Sequence, residues 1–349
     1  MTATAQPSKK PLKLLFVKLK HIGDALILTP TLVAARKQYP NAEIWVVVRK
    51  GTEGILAGCT AIDHLLTVAP NENDQRGIRN LWQDLRTLQQ LRRQQFDFAF
   101  ELSDGARGRW LAGLSSAQHR CTYANNRRLN TWWRYHFNRT PISDSQNQHS
   151  VEKDFNLVAH CLSLGEEIPA LNFERSIAET PNFLEKLSDF VVIHPGTRWV
   201  KKRWLKEYWL DLGERLLQHT RHIVISSGPD QNERAFASEL VKAWGGERAT
   251  STDGQLAWAG LAGILYRARA FVGVDTAAMH LSAACQCPTV AIFAYSILDH
   301  WRPWRVPHEV LHLGDQLPPR GKGQRPATEV MEKLKPQQVM AAVERQIRP

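Results

Sequence analysis

No apolar run in this 349-residue chain approaches the roughly 20 residues that carry a helix across a bilayer. Cysteine is scarce: there are five, an odd number, without the spacing of a disulfide framework or a zinc site. Cys285 and Cys287 are the only pair close in sequence, and reduced thiols of a cytosolic protein are the expectation. The opening MTATAQPSKKP is polar and lacks the apolar core of a secretory signal. No GxGxxG follows the first apolar strand, which argues against a dinucleotide-dependent oxidoreductase. GxxxxGK[ST] is missing too, so any phosphate site is not of the Walker type. No DxD triplet occurs, and no cofactor or protein-bound metal at a diphosphate is expected.

What the chain has is positive charge, unevenly placed. Residues 1–150 hold 21 Lys+Arg against 11 Asp+Glu, and residues 151–349 hold 24 against 23. Nearly all of the net +11 therefore lies in the first half. Such a surface meets an anion: nucleic acid, acidic headgroups or a phosphorylated substrate. Otherwise it only solubilises.

Periodicity alternates between strand and helix. Short apolar runs at 13–19, 43–48 and 96–102 are separated by helical patterns at 25–39 and 80–95. The pattern restarts after about residue 165, with strands at 190–196, 221–228, 270–275 and 289–294. Helical patterns fall at 205–219, 234–244, 256–268 and 277–285. Two β/α sets of this kind predict two parallel-sheet domains, an α/β protein. The turn-rich stretch 164–182 reads as the connection, and the C-terminal helical pattern breaks near Pro336.

Ligands of open α/β sheets sit beyond the carboxyl ends of strands. In HPGTRWVKKRW (194–204), amides, the Thr197 hydroxyl and the cations Arg198, Lys201, Lys202 and Arg203 can cradle phosphate. The alternative is a loop capped by Thr197 with solvent-facing cations. In VGVDTAAMHLSAA (272–284), Asp275 and Thr276 open a small-residue helix whose positive end suits a diphosphate, with His280 further on. Asp275 can equally be a plain N-cap. In SSGPDQNE (226–233), Asp230 or Glu233 can accept a ribose hydroxyl, or Asp230 can cap the next helix. In the first half, HIGD (21–24) places a carboxylate just after the first strand. Asp24 would repel phosphate, so it suits a general base acting on an acceptor hydroxyl; the alternative is a helix cap.

Four segments, KLLFVKLKHIGDALILTPTLVAARKQYPNAEIWVVV, VVIHPGTRWVKKRW, SSGPDQNERA and FVGVDTAAMHLSAACQCPTVAIF, taken in order, resemble bacterial lipopolysaccharide heptosyltransferases, glycosyltransferase family 9. RWVKKRW, SGPD and the WRPW of 301–304 look most like the heptosyltransferase III branch. The resemblance implies a GT-B fold, with two Rossmann-like domains facing across a cleft. It implies an acceptor domain over 1–170, a linker over 171–189 and a nucleotide-sugar domain over 190–325. Residues 326–349 would form a helical segment returning to the first domain.

Carried over, the catalytic aspartate falls on Asp24. The phosphate-binding lysine falls on Lys202, two residues before Trp204, with Lys201 as the alternative register. The diphosphate site falls on Thr197, Asp275, Thr276 and Ala277, with His280 beside them; Ala277 stands where the family often has glycine. The acidic residue near the nucleoside falls on Asp230. The resemblance implies an ADP-heptose donor, inversion at the anomeric carbon and a phosphorylated lipid A–core acceptor. Arg107, Arg109, Arg120, Arg127, Arg128 and Arg134 would meet that acceptor and the anionic inner membrane from its cytoplasmic face. The Trp-rich stretch 127–137 would support them. Another nucleotide sugar, or a type I or II acceptor position, is the competing reading; a nucleic-acid partner would leave the strand-end phosphate loops unexplained.

Overall fold

The computed structural model describes residues 10–70, 78–124, 130–143, 148–294, 297–312 and 328–347, with the side chains of 78–79 and 328–330 left aside. The chain divides into two compact units, Met1–Pro169 and Ala170–Pro349.

The first unit holds β1 (Lys13–Lys18), β2 (Glu43–Arg49), β3 (His64–Val68), β4 (Phe98–Glu101) and β5 (His119–Cys121). They lie in the order β3-β2-β1-β4-β5, all parallel. The second unit holds β6 (Phe190–His194), β7 (His222–Ile225), β8 (Ala249–Ser251), β9 (Phe271–Val274), β10 (Thr289–Phe293) and β11 (His308–His312). Their order is β11-β10-β9-β6-β7-β8, again parallel throughout.

The inner strands are continuous apolar runs because helices cover both faces of a parallel sheet. Leu14, Leu15, Phe16 and Val17 are fully buried, as are Val191, Val192 and Ile193. On one face of the first sheet, Leu15, Val17, Trp45 and Val47 pack with Leu88, Leu91, Leu111, Trp133 and Phe137. Those partners come from the helices Ile78–Gln94, Ala106–Gly113 and Thr131–His136 or, for Phe137, the residue after the last of them.

Three expectations need correction. The helical pattern over 25–39 is two helices, Ile22–Ile27 and Thr29–Gln38. Pro30 sits in the first turn of the second, where its missing N–H costs no helix bond. Residues 171–189 are not a free linker. Leu171, Phe173 and Leu184 are buried, the Phe173 carbonyl accepts from the Tyr266 hydroxyl, and Gly263 abuts the Glu179 carbonyl. Apolar residues at short intervals inside a turn-rich stretch make it part of the second unit. The described residues of the C-terminal segment pack within the second unit. Met331, Leu334, Val339, Met340 and Val343 pack with Trp204, Trp209, Leu212 and Leu216 of the second. Trp204 Nε1 donates to the Leu334 carbonyl at 2.8 Å, which ties the end of the 194–204 loop to that segment.

Close packing in the second core makes one position diagnostic. A Cβ on Gly213 would lie 2.0 Å from the Trp244 ring, whose indole N–H donates to the Leu210 carbonyl at 3.2 Å. Gly213→Ala should therefore overpack the contact between the helices Lys206–Leu216 and Gln231–Trp244. The expected loss is about 1–3 kcal/mol, read as a lower midpoint in urea unfolding. An unchanged midpoint would show that Trp244 moves aside freely.

Candidate active site

Each sheet reverses its strand order beside its own first strand, between β1 and β4 and between β6 and β9. Loops diverge at such a reversal and leave a crevice beyond the strand ends.

In the first unit, the Leu19 N–H donates to Ser103 Oγ at 2.7 Å, and Ser103 Oγ donates to the Val17 carbonyl at 3.1 Å. These bonds stitch the ends of β1 and β4 together. The helix Ile22–Ile27 starts directly after, with Asp24 in its first turn. Asp24 Oδ2 accepts from the His21 N–H at 3.1 Å, so the carboxylate does cap the helix. Its other oxygen, Oδ1, is buried without a hydrogen-bond partner among the described residues, and the residue is only 6% exposed. Capping and proton acceptance are compatible here, one oxygen for each.

A charged network surrounds this point. Lys18 Nζ donates to both oxygens of Asp154, at 2.8 and 2.6 Å, in the interior. Lys153 Nζ is 2.6 Å and Lys20 Nζ 3.4 Å from Asp104 Oδ2. Burial opposes the charge on Lys20, but Asp104, Asp24 and Asp154 outweigh it and raise its pKa. Burial also opposes ionisation of Asp104, yet Lys20, Lys153 and Lys18 hold it down to about 2. Glu101 goes the other way. Burial, reinforced by Asp104, pushes its carboxyl up to about 7, although it accepts from the Ser103 N–H at 2.9 Å and from Thr122 Oγ1 at 3.2 Å.

Sequence reasoning passed over this network. Its signals were a lysine inside the apolar run LLFVKL and an aspartate on the apolar face of the helix Ser150–Ala159, between the buried Val151 and Val158. The proposed acceptor arginines fare unevenly. Arg109 is 1% exposed, with its guanidinium carbon 5.9 Å from the centre of the Trp133 ring, and so leaves the acceptor surface. Arg107 is held by Asp84 and the Ala69 carbonyl. Arg120 donates to the His136 and Ala117 carbonyls, each at 2.6 Å, and fastens the 131–136 helix. Arg134 is exposed, beside the exposed Trp132 and Tyr135. Arg127 and Arg128 lie outside the described residues.

In the second unit, two of the predicted loops flank the reversal, after β6 and β9, and the third follows β7 beside β6. Lys202 Nζ lies 2.5 Å from Asp275 Oδ2 and ties the loop after β6 to the loop after β9. Thr276 precedes the helix Ala277–Ala284 without capping it through its side chain. Its buried Oγ1 has no hydrogen-bond partner among the described residues, and the first amides of that helix lack intrahelical acceptors. Thr197 is buried and accepts from the Trp199 N–H at 3.3 Å. Arg198 and Lys201 are exposed and stand over the Trp199 ring, 5.3 and 5.9 Å from its centre. His280 is buried, its ring centre 6.5 Å from that of Trp301.

Asp230 caps its helix, accepting from the Asn232 and Glu233 N–H groups at 2.9 and 3.2 Å. Glu233 does the less expected work. It accepts from the Gly228 N–H at 2.9 Å, and a Cβ on Gly196 or Gly228 would lie 2.6 or 2.8 Å from Glu233 Oε2. The carboxylate is thus wedged between two glycine turns and sets their separation. Burial drives His194 down to about 4, so it is a neutral partner for Ser226 Oγ at 2.8 Å.

Two parallel-sheet Rossmann-like units, with a buried carboxylate at one strand reversal and a lysine, a hydroxyl and a helix start at the other, define a GT-B glycosyltransferase. Residues 85–329 match the profile of glycosyltransferase family 9 (heptosyltransferase), and the chain belongs to that family. It is 24% identical to lipopolysaccharide heptosyltransferase 3 of Escherichia coli over 292 residues, covering 81% of this chain and 83% of that one. It is 29% identical to lipopolysaccharide heptosyltransferase 1 of Pseudomonas aeruginosa over 305 residues, covering 81% and 78%. The structure of the E. coli heptosyltransferase WaaC with ADP-2-deoxy-2-fluoro heptose superposes with a TM-score of 0.76 at 20% identity, over 96% of this chain and 99% of that one.

Glu101 makes the first unit's stability depend on pH. The native state holds its proton more tightly than the unfolded chain, whose carboxyl titrates near 4.5. The contribution is full below that value and is lost as pH rises through about 7. Glu101→Gln removes this slope. From pH 5 to pH 8 the variant should gain on wild type by on the order of 2 kcal/mol in chemical unfolding. Parallel stability curves would show that Glu101 ionises freely in the folded protein.

Proposed function

We propose that this chain transfers heptose from ADP-L-glycero-D-manno-heptose to the inner core of lipopolysaccharide, with inversion, in the manner of heptosyltransferase III. The observation that carries the donor half is the Lys202–Asp275 contact at the β6/β9 reversal, next to the Thr276 hydroxyl, which has no hydrogen-bond partner among the described residues. On binding, the diphosphate takes Lys202 as its counter-ion, while Thr276 and the first amides of the following helix donate to its oxygens. Thr197, Arg198, Lys201, Ala277 and His280 line the surrounding loops.

Asp24 Oδ1 takes the proton of the acceptor hydroxyl as that oxygen attacks the anomeric carbon. The bond to the diphosphate breaks on the opposite side, and ADP leaves. Lys20 and the helix start keep charge of the right sign beside Asp24. Arg134, Trp132 and Tyr135 suit the phosphorylated lipid acceptor and the anionic cytoplasmic face of the inner membrane, where the protein would sit peripherally. The names of the family and of its lipopolysaccharide-acting relatives support this reading.

Titration calorimetry with ADP, UDP, GDP and CMP tests the donor half. ADP should bind most tightly. Lys202→Ala should weaken it about 10–100-fold, the weight of a hydrogen bond to a charged group, and Lys201→Ala less than about threefold on the same scale. Equal affinity for all four nucleotides would overturn the ADP assignment. Damage confined to Lys201→Ala would move the phosphate contact by one residue.

A further inference from the structure

The five cysteines are reduced in this structure, yet two of them, 40 residues apart, sit with their sulfurs 2.8 Å from one another. That separation is inside ordinary van der Waals contact, and a disulfide at about 2.05 Å needs less than about 1 Å of further approach. Cys121 ends the edge strand β5, in register with Phe100 of β4. Cys161 follows the helix Ser150–Ala159, with its N–H bonded to the Val158 carbonyl at 2.9 Å. Cys285 and Cys287 are the pair close in sequence; the fold brings this other, distant pair together.

We propose that Cys121 and Cys161 are a redox modification site, closed to an intramolecular disulfide by low-molecular-weight disulfides and reopened by thiols. The two sulfurs differ in the way such an exchange requires. Cys161 is partly exposed and Cys121 is fully buried. The hydrogen bond between them lowers the Cys161 pKa, and burial pushes that of Cys121 up. The Arg139 charge favours thiolate at both.

Cys161 thiolate attacks one sulfur of the small disulfide, forms a mixed disulfide and releases one small thiol. Cys121 then gives up its proton, attacks Cys161 Sγ and expels the second small thiol. Two protein thiols are oxidised, one small disulfide is reduced to two thiols, and both protons are retained. The new bond pins β5 to the helix whose Lys153 and Asp154 hold Asp104 and Lys18. It therefore braces the network around Asp24 and restricts the unfolded chain.

The test incubates the full chain with glutathione disulfide, alkylates it, and counts free thiols with peptide mapping. Wild type should fall from five thiols to three, with one cross-link joining Cys121 to Cys161. Its thermal midpoint should rise by roughly 5 °C, and dithiothreitol should reverse both changes. Cys121→Ser should stop at a glutathione adduct on Cys161, and Cys161→Ser should leave Cys121 unmodified. A persistent wild-type adduct on Cys161, a cross-link between other cysteines, or five unreacted thiols would overturn the proposal.

Discussion

A parallel sheet offers its ligands only one edge, the carboxyl ends of its strands, and only where neighbouring connections run in opposite directions does that edge open. In the first unit the opening lies between β1 and β4, in the second between β6 and β9. Ser103 follows β4 and Asp24 lies in the first turn of the helix after β1; Lys202, Asp275 and Thr276 belong to the segments leaving the second. The chemistry each unit can host follows from that placement. The first reversal presents a carboxylate oxygen without a partner among the described residues, which accepts protons and repels phosphate. The second presents a lysine, a hydroxyl and helix amides, which attract phosphate.

The charge imbalance of the first half reads differently once its partners are visible. Lys18, Lys20 and Lys153 face Asp154 and Asp104, Arg36 faces Asp63, and Arg107 faces Asp84. Arg120 is spent on backbone carbonyls, and Arg109 is buried against Trp133. Carboxylates within the first half are already subtracted in the net count, so it is Arg109 and Arg120, spent on Trp133 and on backbone carbonyls, that shrink the surface left for an anionic acceptor. The buried Lys18–Asp154 pair is expensive to desolvate, and losing either partner would strand a charge in the core. Lys18 is the last residue of β1, so the pair anchors the point where that strand ends.

Seven strands were readable as apolar runs, and they are the seven inner strands of the two sheets. β3, β5, β8 and β11 escaped notice, and they are the four edge strands. The reason is exposure. His64–Val68 runs from exposed to buried along its length and His308–His312 is half-buried throughout, so neither carries the uninterrupted apolar pattern that burial on both faces imposes. The loops proposed to hold phosphate were legible because glycine and threonine directly follow inner strands, with lysines a few residues on. Asp24 was legible as either a base or a cap; one of its oxygens caps the helix, and the other has no hydrogen-bond partner among the described residues. Glu101, Asp104, Asp154 and Glu233 were not: Asp104 and Asp154 act through lysines 49 to 136 positions away, Glu101 bonds across to Thr122, and Glu233 acts through two glycine turns.

The central claim is that Asp24 Oδ1 accepts the acceptor proton while the second unit alone holds the nucleotide. The measurement that tests it most directly is the turnover of Asp24→Asn with ADP-heptose and a phosphorylated lipid A–core acceptor, alongside its affinity for ADP. The account predicts kcat reduced by roughly 10²–10⁴ with ADP affinity unchanged, since asparagine keeps the cap to His21 but cannot take the proton. A variant with kcat near the wild-type value would contradict it and leave Asp24 as a helix cap alone.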